Sequence, residues 1–165
     1  MPLRRLIFLA SLVLAVAAVS PSAAMAAANG TDRPLTGAGT GTTTLNLATL
    51  AATAEATGHI SHVGAFTGHF DAVFTITGAS TFTYTGTGTD VAANGDKLFS
   101  TIAGSGTFTA TTAESTETDT ITGGTGRFAG ASGMYTETIS SVIVSVTPTT
   151  ETSRFTAALE GHISY

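Results

Sequence analysis

Between Ala65 and Thr77 the chain alternates. Phe66, Gly68, Phe70, Ala72, Phe74 and Ile76 take the even positions, and Thr67, His69, Asp71, Val73, Thr75 and Thr77 take the odd ones. In extended backbone successive side chains point to opposite sides, so this run is a strand with one apolar and one mostly polar face. A helix would scatter the Phe rings around its circumference. An apolar strand face has to be buried, so the rest of the chain must supply a partner surface.

Other stretches repeat the rule. Phe82 and Tyr84 stand on one side of the next run, against Thr81, Thr83, Thr85, Thr87 and Thr89. Leu35 to Ala48 reads as a first strand, with Leu45 and Leu47 alternating against Thr44 and Asn46. Ala48 to Ala56 is alanine-rich and admits either a strand or a helical turn. Thr107 to Thr122 reads as a long polar strand with Phe108 near its start. Met134 to Thr147 carries Val142, Val144 and Val146 on one face and stops at Pro148. Ser153 to Tyr165 places Phe155, Leu159, Ile163 and Tyr165 on a single face. Asn94-Gly95 predicts a two-residue type I′ hairpin loop with positive φ at both residues, and Gly104-Ser105-Gly106 predicts another turn. The 34 threonines favour strands, being β-branched. The regular Phe spacing argues against a disordered Thr-rich stalk. The reading is all-β: an eight-stranded antiparallel up-and-down β-barrel, whose closure removes exposed edges. A two-sheet β-sandwich is the alternative.

The first residues have the layout of a signal peptide. Arg4 and Arg5 precede an apolar run from Leu6 to Val19, Ser20-Pro21-Ser22 breaks it, and Ala24-Met25-Ala26 offers small residues for cleavage. The expected division is a signal peptide over 1–26 (cleaved after Ala26 or Ala28), a flexible start over 27–34 and a barrel domain over 35–165. The expected destination is extracellular or periplasmic. Without cysteine, neither a lipid anchor at the cleavage site nor a disulfide is available. After cleavage four cations remain, Arg33, Lys97, Arg127 and Arg154, against eleven acids. That balance argues against nucleic acid and anionic membrane as partners. No oligomeric state follows from it.

Ile121 to Gly133 is the densest run of turn-forming residues. Thr122 to Gly130 matches the glycine spacing of a dinucleotide phosphate loop, but that mechanism needs a helix after the glycines. Met134-Tyr135-Thr136-Glu137-Thr138-Ile139 alternates as a strand instead. A P-loop fails because no Lys-Ser or Lys-Thr follows, and no cofactor is expected. The stretch Gly123-Gly124-Thr125-Gly126-Arg127-Phe128 resembles the corner of the allene oxide cyclase–dirigent barrel superfamily, a calycin-type barrel. Ala129-Gly130-Ala131-Ser132-Gly133 resembles its continuation. Gly58 to Gly68, Ala92 to Leu98 and Gly161 to Tyr165 are similar to segments of secreted bacterial proteins with this barrel. The resemblance implies eight antiparallel strands around a central cavity. In plants the superfamily includes a cyclase of a fatty-acid-derived epoxide and proteins that steer phenoxy-radical coupling. On physical grounds Gly124 and Gly126 suit positive φ, Phe128 suits a plug under the barrel end, and Arg127 suits a pair with an acid on a neighbouring turn ahead of a ligand contact.

For function, the inner face supplies Phe66, Phe70, Phe74, Phe82, Tyr84, Phe108 and Phe155 as cavity candidates, with Leu159. Gly68, Gly86 and Gly88 leave room for a small hydrophobic ligand; the same rings filling a solid core is the competing reading. A second hypothesis is an isomerase or cyclase of a hydrophobic substrate, for which Tyr84, Glu114 and Tyr165 are the polar groups at inward-type positions. The plant enzymes' polar set holding a cavity water has no residue-by-residue match here. A third is surface adhesion through the Thr-rich faces. His59, His69 and His162 fall on polar phases, and His59 and His62 point to opposite sides of a strand, so no metal site is expected from the histidines.

Overall fold

The computed structural model describes residues 30–165; the expected signal peptide lies outside the described residues. Eight strands follow in chain order: β1 (Asp32–Asn46), β2 (Ala51–Ile60), β3 (Gly64–Ile76), β4 (Thr81–Ala92), β5 (Lys97–Phe108), β6 (Thr112–Gly124), β7 (Ser132–Val146) and β8 (Thr150–Ser164). Each pairs antiparallel with the next. β8 returns to β1 along its whole length, from Asp32 opposite Ser164 to Asn46 opposite Thr150. The sheet is therefore a closed up-and-down barrel, and the sandwich alternative is excluded. Asp32–Pro34, expected in a loose start, are paired strand residues.

The alternation of β3 holds as far as Phe74: Phe66, Gly68, Phe70, Ala72 and Phe74 face inward, while Thr67, His69, Asp71 and Val73 are exposed, and Ile76, on the apolar phase, is exposed at the strand's end. The alanine-rich segment divides: 47–50 is a turn closed by the Leu50 N–H donating to Asn46 O, and Ala51 onward is strand. Ala54 stands opposite Phe70 and Gly58 opposite Phe66, so small residues on β2 make room for the rings of β3. Val142, Val144 and Val146 share a face, as expected, but it is the outer wall, where all three are exposed.

Three local expectations are corrected. Gly104-Ser105-Gly106 is no turn but the middle of β5. Its glycines clear space for side chains: a Cβ at Gly104 would collide with the Tyr84 ring, and one at Gly106 with the Phe82 ring. Thr107–Phe108 and β6 are therefore separate strands, joined by a turn at 109–111. The turn comes instead from Thr109, whose hydroxyl accepts from the backbone N–H groups of Thr111 and Thr112. The Asn94-Gly95 loop has three residues, not two, since the Ala92 N–H donates to Asp96 O. Only Gly95 has positive φ, +87°, the arrangement of a type I turn followed by a left-handed residue.

The glycine corner behaves as a barrel cap. Gly123 and Gly126 take positive φ, at +137° and +56°. Gly124 does not; it is glycine because a Cβ would collide with Lys97 O and Phe128 Cβ. A 3-10 turn at Gly126–Phe128 drops Phe128, 0% exposed, into the barrel end against Leu35, Ile60, Val63, Leu98 and Ile163. Arg127 closes over it: its guanidinium lies 4.6 Å from the Phe128 ring centroid and donates to Val63 O. Its Nε stands 3.9 Å from the Asp96 carboxylate. Tyr165 packs edge-on to Phe128.

Candidate functional site: an apolar lumen on an acidic floor

The hairpin turns at 47–50, 77–80, 109–111 and 147–149 ring the opposite end, and this end is hollow. A cavity of about 320 Å³ runs down from it. All seven aromatic candidates, Phe66, Phe70, Phe74, Phe82, Tyr84, Phe108 and Phe155, line it. Leu159 instead belongs to the packed capped end. Phe74 stacks on Tyr84 at 4.8 Å and tilts against Phe82 at 5.4 Å, so the aromatic side of the sleeve is a packed unit.

The floor of this cavity is acidic. On β6, Ala113, Ser115, Glu117, Asp119 and Ile121 point inward; on β7, Tyr135, Glu137 and Ile139 do so. Antiparallel register sets Glu117 opposite Glu137 and Asp119 opposite Tyr135. Asp90 on β4 keeps the inward phase of Phe82 and Tyr84. One carboxylate oxygen from each of Glu117, Asp119 and Glu137 lies within 4.8 Å of the others, the spacing at which oxygen donors share a cation. Glu117 and Glu137 line the cavity, while Asp119 lies beneath, 1% exposed.

The hydrogen bonds are incomplete. Ser100 Oγ donates to Asp119 Oδ1 at 2.9 Å, and Tyr84 Oη donates to Ser115 Oγ at 3.3 Å. Asp119 Oδ2 and Asp90 Oδ1 are buried without a protein partner. None of Arg33, Lys97, Arg127 and Arg154 lines the cavity. Uncompensated burial disfavours the charged forms. Burial, with Asp119 beside it, raises Asp90 to about 7. Burial and the neighbouring Glu137 raise Glu117 to about 8. Burial and Glu117 raise Asp119 to about 8, and burial raises Glu137 to about 7. Burial also pushes the phenols of Tyr84 and Tyr135 up. Near neutral pH the floor can thus donate protons, accept hydrogen bonds or hold positive charge.

The polar groups expected inside are placed differently. Tyr84 is inside. Glu114 is on the outer wall, exposed, accepting from Ser140 Oγ. Tyr165 sits over the capped end, its hydroxyl donating to His62 O at 3.4 Å. The real acids, Asp90, Glu117, Asp119 and Glu137, escaped the sequence reading, although Asp90 shares the phase of Phe82 and Glu137 that of Tyr135. All four histidines are exposed; His69 bridges Glu55 and Asp71 on the outer wall.

No protein-family description, curated protein or solved structure matches this chain.

Proposed function

We propose that this chain is an exported binding barrel that takes a small hydrophobic molecule into its open lumen. The observation that carries the reading is the lumen itself. It is about 320 Å³ in volume, sleeved by aromatic rings, open at one end and stopped at the other by Phe128. Such a concave apolar site with a few convergent polar groups is the usual form of a small-molecule pocket. Export is proposed from the leader-like run before residue 27 and its small-residue cleavage site. The test is binding of a neutral, polarity-sensitive naphthyl dye to the mature protein. Ala72→Phe places a ring in the lumen from β3 and should abolish the dye signal while leaving far-UV circular dichroism unchanged. Equal dye binding by wild type and variant would remove the lumen as the site.

The floor favours one second reading, an isomerase or cyclase of a hydrophobic substrate. A carboxyl such as Glu117, raised to about 8, keeps its proton at neutral pH and faces the lumen. That is the state a general acid requires. It is also the point at which the resemblance to the allene oxide cyclase–dirigent barrels bears on this chain. Turnover of an epoxide or phenoxy-radical substrate that Glu117→Gln abolishes supports it; unchanged rate and stereochemistry with mature protein removes it.

A further inference from the structure

We infer that the lumen floor is an organic-cation site, and that the ligand class this barrel selects is an apolar molecule ending in a protonated amine. The inference rests on the lumen being a binding cavity and names the head group it takes.

Three observations converge. First, the floor concentrates carboxyl groups, and among the described residues no cation answers them. Glu117, Asp119 and Glu137 present oxygens within 4.8 Å of one another, Asp90 lies alongside, and among the described residues no Lys, Arg or His lines the cavity. Buried carboxylates are ordinarily paired, because an unpaired one is costly. Second, the set is built to receive something. Asp119 is 1% exposed, fixed through one oxygen by Ser100, and its second oxygen has no protein partner. Third, the space above is of another kind, an apolar sleeve continuous with Glu117 and Glu137. At roughly the 30 Å³ that a water takes in the liquid, about 320 Å³ holds on the order of ten carbon-sized groups. An alkylammonium meets both halves: its N–H donors reach the carboxylates and its tail fills the sleeve. A bare metal ion would satisfy the floor and leave the sleeve empty. A carboxylate head would be repelled.

Protons are the competing occupants. The groups facing one another across the floor are Asp90 and Tyr84 from β4, Glu117 and Asp119 from β6, and Tyr135 and Glu137 from β7. All are acids whose burial favours the neutral form. An entering ammonium displaces protons from the carboxyls, so its affinity should rise with pH through their titration while that of a neutral ligand stays flat.

The experiment compares decylamine, decanol and decanoate on mature protein, below micellar concentrations, by calorimetry and native mass spectrometry. The expected result is decylamine binding at least about tenfold more tightly than decanol, with decanoate weakest. Decylamine affinity should rise between about pH 6 and about pH 8.5. Glu117→Gln/Glu137→Gln should erase the preference for decylamine over decanol, with an unchanged far-UV circular dichroism spectrum reporting that the variant is folded; Asp119→Asn is the independent second variant. Equal binding of decylamine and decanol overturns the cation site while the hydrophobic-lumen reading stands. Failure of all three probes to bind overturns both. Stoichiometric binding of calcium or manganese that decylamine does not displace overturns the amine in favour of a metal ion.

Discussion

The two ends of the barrel use the same alternating strands and reach opposite results. At the capped end the inward strand positions are Leu35, Ile60, Leu98 and Ile163, and two non-strand residues, Val63 and Phe128, fill what the strands leave. At the open end the inward positions hold rings against one wall and Leu45, Ile139 and Ile143 among Ala, Ser and Thr against the other, with no plug among the described residues. Halfway down, where the filled and hollow parts meet, the inward residues turn acidic. A closed eight-stranded barrel is wide enough for side chains to fill or for one small ligand; which it does depends on what the corners contribute. Here the glycine corner supplies a plug at one end, while the Thr109 and Thr147 turns supply only hydroxyls that tie their own backbones.

The largest effect should come from removing the plug. Phe128→Ala deletes a fully buried ring at a site where rigid strands limit collapse, and should cost about 3–5 kcal/mol. Phe108→Ala, at the half-buried rim of the cavity, should cost about 1 kcal/mol. Urea unfolding of the two variants measures the asymmetry directly; equal costs would mean that the open end is packed as tightly as the capped one.

The corner itself comes next. Gly126 has φ of +56°, and a Cβ there would collide with the Asp96 carboxylate. That carboxylate cannot retreat freely, because its Oδ2 accepts from the Arg127 backbone N–H at 3.2 Å and from Asn94 Nδ2 at 2.7 Å. Gly126→Val should therefore cost about 2–3 kcal/mol. Arg127→Ala should cost less, about 1 kcal/mol: its pair with Asp96 is partly exposed and screened, and the contacts to Val63 O and the Phe128 ring are what is lost. A larger loss at Arg127 than at Gly126 in thermal melts would break this ranking.

Much of this was legible in the chain. The period-two run at Phe66–Ile76, repeated at Phe82 and Tyr84, sufficed for strands with one buried face, and their number and short connections for a barrel. The corner was legible because glycines crowd around a single Phe. Gly104-Ser105-Gly106 misled because glycine pairs mark turns by composition, whereas here glycine is demanded by the rings of Tyr84 and Phe82 on the adjoining strand. That reason is visible only in register. The acidic floor was missed on β6 because the strand carries one large apolar residue, Ile121, too little to set its phase. Glu114 and Glu117 are three apart, so one must face in and the other out, and composition does not say which.

The acidic floor also predicts a pH dependence that the capped end lacks. In the unfolded chain these carboxyls ionise near pH 4. In the barrel, burial raises Asp90 and Glu137 to about 7 and Glu117 and Asp119 to about 8. Between those values the folded state holds more protons than the unfolded one, so stability falls as pH rises. Their contribution is full below about pH 4 and lost above about pH 8. Without ligand, the melting temperature should decline across this window. Asp119→Asn should flatten the decline and raise stability at pH 8 by about 1 kcal/mol or more. A melting temperature that climbs from pH 5 to pH 8 would mean that the floor is compensated by positive charge.

The smallest expected effect is the sharpest test of strand phase, because it compares two glutamates on one strand. Glu114 faces solvent, and its contact with Ser140 is an exposed hydrogen bond; Glu117 is 6% exposed beside Glu137. Glu114→Gln keeps the size and an acceptor oxygen and removes a charge that water already solvates. It should change stability by less than about 0.5 kcal/mol at any pH. Glu117→Gln removes a charge that burial penalises, so it should be close to neutral at pH 5, where the native carboxyl is already protonated, and stabilising at pH 8. The diagnostic is the difference between pH 8 and pH 5 melts of each variant against wild type: zero for Glu114, positive for Glu117. If the two variants exchanged behaviour, β6 would be paired one residue out of register. Glu114 would then face the lumen, and the cation site would lose Glu117 and Asp119 together.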